Sequence, residues 1–219
     1  MDKARLLSGS SLFCELPQAE LDELARHAEW RNLPAHKLVV QQGSRSLEMY
    51  AVLRGRLKVQ REAEDGREAT LGLLEPGDVF GELAMLDGEP RTATVVTLEP
   101  CELLTLRHDV VVGFLENHPK VMRQLILLLC QRLRSTDSLV QDTLFLSLPQ
   151  RLGKMLKSLA LEHGDEGRID LKFTQQEIGS LVGASRESIN KQRNAWEKEN
   201  WISMENGHIR VLAPAKLPG

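Results

Sequence analysis

The feature that most constrains this chain is a stretch without punctuation. After Pro119 no further proline and no glycine occurs until beyond Leu146. Proline suits the first turn of a helix, where its missing N–H would have no partner anyway. Leu125, Leu129, Arg132, Thr136, Leu139, Thr143 and Leu146 then follow in alternating steps of four and three. That spacing describes a heptad seam on a helix roughly 40 Å long. So long a helix in so small a protein is expected to pair with a second copy of itself. Arg132 and Thr136 interrupt the seam with polar groups, which weaken such a contact unless something satisfies them.

On either side of this helix the periodicity differs. Near Pro17 a short helix is expected, with Leu21, Leu24, Ala25 and Ala28 at helical spacing. Between Lys37 and Arg107, runs rich in Val, Leu and Thr cover residues 38–41, 49–53, 57–61, 69–73, 92–98 and 101–106. Turn signals such as Arg54-Gly55, Pro76-Gly77-Asp78 and Asp87-Gly88 separate them, a pattern that predicts a β-sandwich or barrel. Pro149 marks a hinge. Beyond it come an amphipathic helix over 151–161, a polar loop over 162–167, a compact helical segment, and a hairpin pairing 201–204 with 208–212 through Asn206-Gly207. The expected fold class is α+β. Its divisions are a sensor-like domain over 1–118, a long helix and hinge over 119–148, and a small helical domain over 149–219.

Charge is split unevenly along the chain. The net charge of −3 hides −5 before Pro149 and +2 from there onward, so the C-terminal part is the better candidate to meet phosphate. No run approaches ~18 apolar residues, so no membrane-spanning helix and no membrane partner are expected. The first residues lack the apolar core of a signal peptide, which places the protein in the cytoplasm. Cys14, Cys101 and Cys130 are dispersed and form no CxxC pair. They read as small apolar residues rather than a disulfide framework or zinc site. No nucleophile–base constellation or metal motif is present, so catalysis is not expected and no cofactor is called for.

Residues 173–196 read FTQQEIGSLVGASRESINKQRNAW. Thr174 and Glu177 have the spacing of a capping box, which starts a helix. Ile178, Leu181 and Val182 supply its buried face, Gly183 a sharp turn, and Ser185 the cap of a second helix anchored by Ile189. The rest of that second helix is polar: Arg186, Glu187, Ser188, Asn190, Lys191, Gln192 and Arg193. Arg can bond a guanine edge twice and Glu can accept from cytosine, so a helix-turn-helix reading the major groove is expected.

Residues 75–95 read EPGDVFGELAMLDGEPRTATV. Gly81 allows backbone to approach a ligand closely. If residues 83–86 form a helical turn, their free N–H groups suit an anion. Arg91 would neutralise that anion and Thr92 would add a hydroxyl donor. Glu82 would repel a phosphate, so it must face something else, and a ribose hydroxyl suits it. Taken alone these residues also fit a surface Glu–Arg pair.

With the cassette GELAMLDGEPRTATV, the long helix and QQEIGSLVGASRESINK in this order, the chain resembles the cyclic-AMP receptor protein and fumarate-nitrate regulator family over essentially its full length. The resemblance implies a cyclic-nucleotide-binding β-roll, a homodimer formed along residues 119–146, and a winged helix-turn-helix bound to palindromic double-stranded DNA. It implies that Glu82 holds the ribose hydroxyl, that Arg91 and Thr92 hold the cyclic phosphate, and that backbone at Gly81 and Leu83 helps. Arg132 would support the site, Thr136 would read the base, and Asp137 would read it from the partner chain. DNA contacts would come from Thr174, Gln175, Ser185, Arg186, Glu187, Ser188, Asn190 and Lys191. The stretch at 160–167 matches the region where family activators touch RNA polymerase.

Two departures bear on specificity. Adenine-reading members carry Ser where this chain has Asp137. A carboxylate only accepts hydrogen bonds, which suits the ring N–H and amine of guanine. Thr92 also occurs in guanine-preferring channel sensors. Cyclic AMP, cyclic GMP and cyclic di-GMP therefore all stand as allosteric ligands, cyclic AMP slightly ahead of cyclic GMP. A ligand-independent or redox-responsive regulator is the alternative. On the second helix, Lys191 stands where the receptor has Arg and Asn190 where it has Gly, so a related but not identical operator is expected. Iron–sulfur members need a cysteine cluster that Cys14 alone cannot supply, and no pattern supports His108 or Cys101 as haem ligands.

Overall fold

The computed structural model describes residues 2–63, 68–165, 168–172, 175–205 and 208–219. The chain divides into two units, Met1–Arg134 and Ser135–Gly219. In order, the first holds α1 (Lys3–Leu7), α2 (Gln18–His27), β1 (Glu29–Leu33), β2 (Leu38–Val40), β3 (Met49–Arg54), β4 (Leu57–Glu62), β5 (Glu68–Leu74), β6 (Val79–Phe80), α3 (Glu82–Asp87), β7 (Thr94–Thr97), β8 (Cys101–Leu106), α4 (His108–Asn117) and the beginning of α5 (Pro119–Phe145).

Alternation along two central strands explains how this unit is layered. Successive side chains of a strand point to opposite faces. On β3, Met49 and Ala51 join a core with α1, α2, α4 and α5, while Tyr50 and Val52 face the second sheet. β8 divides in the same way, with Leu104 and Leu106 on the helix side and Cys101 and Leu103 between the sheets. A strand buried on both faces reads as a continuous apolar run, which is what MYAVL is. The two antiparallel sheets run β1-β8-β3-β6 and β2-β7-β4-β5. Together they make the β-roll. Burying a side chain such as Leu104 or Met49 contributes about 1.5–3 kcal/mol. The strand expected over 92–98 is shorter, because Thr92 and Ala93 form a bend before β7 begins.

The second unit holds the rest of α5, then α6 (Leu148–His163), β9 (Gly164–Asp165), β10 (Arg168–Lys172), α7 (Gln175–Val182), α8 (Arg186–Lys198), β11 (Ile202–Glu205), β12 (His208–Val211) and a 3₁₀ turn at Pro214–Lys216. Its sheet runs β11-β12-β10-β9, all antiparallel. Leu152, Leu156, Ile178, Val182, Ile189, Trp196, Ile202, Ile209, Val211 and Leu217 are buried in it. This is a winged helix-turn-helix.

Three expectations need correction. Pro149 does not precede the helix; it sits in the first turn of α6. The Gln150 side chain accepts from the Ser147 N–H at 2.9 Å, half of a capping box that starts α6 early. The polar loop expected over 162–167 is mostly structured, since α6 runs to His163 and β9 follows. The seam expected on α5 is shortened at its start. Leu125 is only 1% exposed and belongs to the sensor core, and Arg132 turns toward its own β-roll. The apolar residues left in the open on α5 are Ile126, Leu127, Leu133, Leu139, Val140, Leu144 and Phe145, and of these Leu139 belongs to the expected seam. The Asn206-Gly207 turn lies outside the described residues.

Candidate functional site

The sensor cassette begins where β6 ends. Gly81 has φ +88°, in the left-handed region, and caps α3. A Cβ there would stand 2.5 Å from Arg91 Nη1 and 2.6 Å from the Glu48 carbonyl oxygen. Only glycine satisfies both the dihedral and the space. This turn delivers Glu82 into the interior at 1% exposure. One carboxylate oxygen, Oε1, accepts from Arg132 Nη1, and Arg132 Nη2 donates to the Val79 carbonyl. The other oxygen, Oε2, is buried and has no hydrogen-bond partner among the described residues. A lone buried acceptor is costly unless a donor reaches it.

Arg91 enters from the far side of the cassette and is 4% exposed. Its Nε donates to Ser46 Oγ at 2.9 Å, Nη1 to the Gly81 carbonyl at 2.8 Å, and Nη2 to the Glu48 carbonyl. Burial holds the guanidinium below its ordinary pKa, against the opposing pull of Tyr50, Glu48 and Glu82. Tyr50 stacks on Phe80 at 4.8 Å and donates its hydroxyl to Glu48 Oε2 at 2.6 Å. Burial first, and that bond second, push the phenol up to about 12.

The fold thus brings Gly81, Glu82, Arg91 and Arg132 into one cluster. Thr92 is exposed at the bend beside Arg91, and the Leu83 side chain is 41% exposed on α3. Thr136 and Asp137 are exposed on α5 and belong to the second unit. Sequence reasoning missed Ser46, Glu48 and Tyr50. No local motif announces them, because Glu48 holds Arg91 through its backbone carbonyl and Ser46 and Glu48 lie 45 and 43 residues away from Arg91.

In the second unit, α7 and α8 meet at a tight turn. Gly183 has φ +67°. Ala184 N–H donates to the Gly179 carbonyl at 2.8 Å, and a Cβ on Gly179 would lie 2.6 Å from the Ala184 oxygen. Ser185 caps α8 by accepting from the Ser188 N–H. Ile189 and Trp196 anchor α8, leaving Ser185, Arg186, Glu187 and Lys191 exposed and Ser188 and Asn190 half-buried. Thr174, with its capping box, lies outside the described residues, and the same holds for the side chain of Gln175.

A capped helix with Arg-Glu at its exposed entry is one half of the decision, and comparison with known proteins supplies the other. A sequence model for the cyclic nucleotide-binding domain matches residues 30–118, and one for the Crp-like helix-turn-helix domain matches residues 150–218. A CRP-like cAMP-activated global transcriptional regulator of Mycobacterium tuberculosis is 30% identical over 216 residues, 97% of this chain and 96% of that one. The chain belongs to the CRP/FNR family of transcription regulators. The cyclic AMP receptor protein of Thermus thermophilus is likewise 30% identical, over 96% of both chains. Among solved structures, the catabolite activator protein of that organism covers 95% of this CRP/FNR chain and 96% of its own, at 30% identity and a TM-score of 0.57. The c-di-GMP responsive regulator CLP of Xanthomonas campestris shares the fold, with a TM-score of 0.80 at 20% identity over 89% of this chain and 99% of its own. This CRP/FNR regulator is therefore a DNA-binding protein with a cyclic nucleotide-binding domain, and not an enzyme. Among the described residues no helix is long and apolar enough to cross a membrane.

Proposed function

We propose that a cyclic nucleotide bound in the β-roll controls DNA binding by a homodimer of this regulator. The observation that carries the reading is Glu82: a carboxylate held in place by Arg132, with Oε2 short of a donor. A ribose hydroxyl supplies that donor. The cyclic phosphate is assigned to Arg91, whose three engaged N–H groups leave further donors on its terminal nitrogens. Thr92 adds its hydroxyl, and the backbone at Gly81 and Leu83 faces the same group. The base falls to Thr136 and to Asp137 of the second copy, by resemblance to the family. Ligand then shifts an existing equilibrium by its differential affinity for the DNA-competent arrangement.

On DNA, Arg186 and Glu187 are assigned to base edges, and Ser185, Ser188, Asn190 and Lys191 to the flanking contacts, with Thr174 and Gln175 at the start of α7. Two recognition helices one DNA turn apart would read a palindrome. RNA polymerase is the expected protein partner, and the cytoplasm the place of action.

Cyclic AMP stands slightly ahead of cyclic GMP. The M. tuberculosis relative is a cAMP-activated regulator and the T. thermophilus relative a cyclic AMP receptor protein, while the Asp137 carboxylate favours the donor edge of guanine. Calorimetric titration with cyclic AMP, cyclic GMP and cyclic di-GMP tests this. Micromolar binding of one names the signal, and a switch of preference in Asp137→Ser shows that this residue reads the base. Silence from all three refutes ligand control by these nucleotides and leaves the ligand-independent reading. A redox reading through Cys101 is disfavoured, because burial pushes its thiol up, away from the reactive thiolate.

A further inference from the structure

We propose that Ser46 is a positioning residue for the phosphate-binding arginine, and so sets the sensor's affinity without belonging to the cassette. The inference rests on the cyclic-nucleotide reading above. The loop between β2 and β3 is already fastened to Arg91 through the main chain: Gly43 N–H donates to the Arg91 carbonyl at 2.8 Å, and Arg91 N–H donates to the Ser44 carbonyl at 2.9 Å. The Ser46 hydroxyl is therefore not needed to hold the loop in place. Its described contact is with Arg91 Nε.

A guanidinium is a planar fork, and its hydrogen-bonding direction is fixed once three points in the plane are held. Gly81 and Glu48 carbonyls hold the two terminal nitrogens, and Ser46 holds the third point at the root of the fork. With Ser46 removed, the plane can tilt about the bond to Nε. The N–H groups not engaged by protein then no longer share one direction, and bidentate capture of a phosphate depends on that shared direction. A hydroxyl suits this place better than a carboxylate. It accepts from Nε without adding a negative charge that would compete with the incoming phosphate, and its own hydrogen stays available to a phosphate oxygen.

Ser46→Ala and Ser46→Thr, each in the full-length protein, test the assignment with two readouts. The first needs no ligand: the Arg91 Nε–H resonance, assigned with Arg91→Lys, is expected to shift and to exchange faster with water in Ser46→Ala, and to return in Ser46→Thr. The second is calorimetric affinity for cyclic AMP and cyclic GMP. Ser46→Ala should bind on the order of tenfold more weakly and Ser46→Thr close to wild type, as expected for losing one hydrogen bond to a charged group. A role confined to folding would lower the melting temperature but leave the affinity of the folded protein unchanged. An unmoved Nε–H signal, or unaltered affinity in Ser46→Ala, overturns the proposal. Wild-type protein that takes up neither nucleotide, while its Nε–H signal still responds to Ser46→Ala, overturns the functional reading and with it the part of Ser46 in ligand affinity.

Discussion

Tyr50 is the single tyrosine of the chain, so its ultraviolet titration reports on the cassette without interference. Its folded pKa of about 12 lies above the ordinary phenol value of 10.0. Between those two values the folded state holds a proton that the unfolded state has lost. The contribution to stability is therefore complete below pH 10 and disappears as pH rises toward 12. Phenolate absorbance of the folded protein should have its midpoint near 12, and Tyr50→Phe should flatten the alkaline limb of the stability profile. A midpoint at the ordinary value would mean that Tyr50 is neither buried nor bonded to Glu48 as described. Glu82 gives a second test at this scale. Glu82→Gln removes the charge that Arg132 faces, and a loss of about 1–3 kcal/mol in urea unfolding is expected, together with loss of nucleotide binding. Unaltered stability would show that the Glu82–Arg132 pair contributes little.

Among the elements, those with strong internal periodicity are legible from sequence. The run after Pro119, the apolar strands flanked by Gly turns, and the capped pair around Gly183 all carry their own signals. Others lack them. β1 reads EWRNL, mostly exposed and without alternation, and is a strand because it pairs with β8 from Glu29↔Thr105 to Leu33↔Cys101. β6 is two residues long and exists because β3 offers it an edge. α4 has neither a side-chain cap bond nor a basic last turn, and is a helix because Val111, Phe114 and Leu115 dock on the sheet. In the cassette, Glu82 and Arg91 are visible as residue types, but two of the three acceptors that orient Arg91, Ser46 Oγ and the Glu48 carbonyl, come from a loop distant in sequence. The heptad spacing on α5 does not announce that its first residue, Leu125, belongs to the sensor core. An α-helix next to its own domain buries one stripe there, and sequence spacing alone does not say which of two adjacent stripes stays free. In the helix-turn-helix, Gly179→Val would drive a side chain into the Ala184 carbonyl. Thermal melts should show a loss of 2 kcal/mol or more, roughly what overpacking produces, whereas Ser185→Ala should lose only about 1 kcal/mol. Equal effects would mean that the close approach of α7 and the turn is not tight.

For the molecule acting on DNA, charge and base recognition separate experimentally. Arg186→Ala should cost about 1–3 kcal/mol on the cognate operator and much less on random DNA, narrowing the gap between them. Lys191→Ala, as a phosphate contact, should weaken both alike and make the salt dependence shallower by about one unit of slope per dimer half-site. If Lys191→Ala instead alters operator preference, Lys191 reads bases. The open apolar residues of α5 have a further consequence. Ile126, Leu133 and Val140 are 53%, 62% and 51% exposed on a single copy. If a second copy covers them, part of the folding free energy is a binding free energy and obeys mass action. The melting temperature would then have no single value: it would climb as the protein is concentrated and fall on dilution, so regulator abundance would itself determine how much of it stays folded.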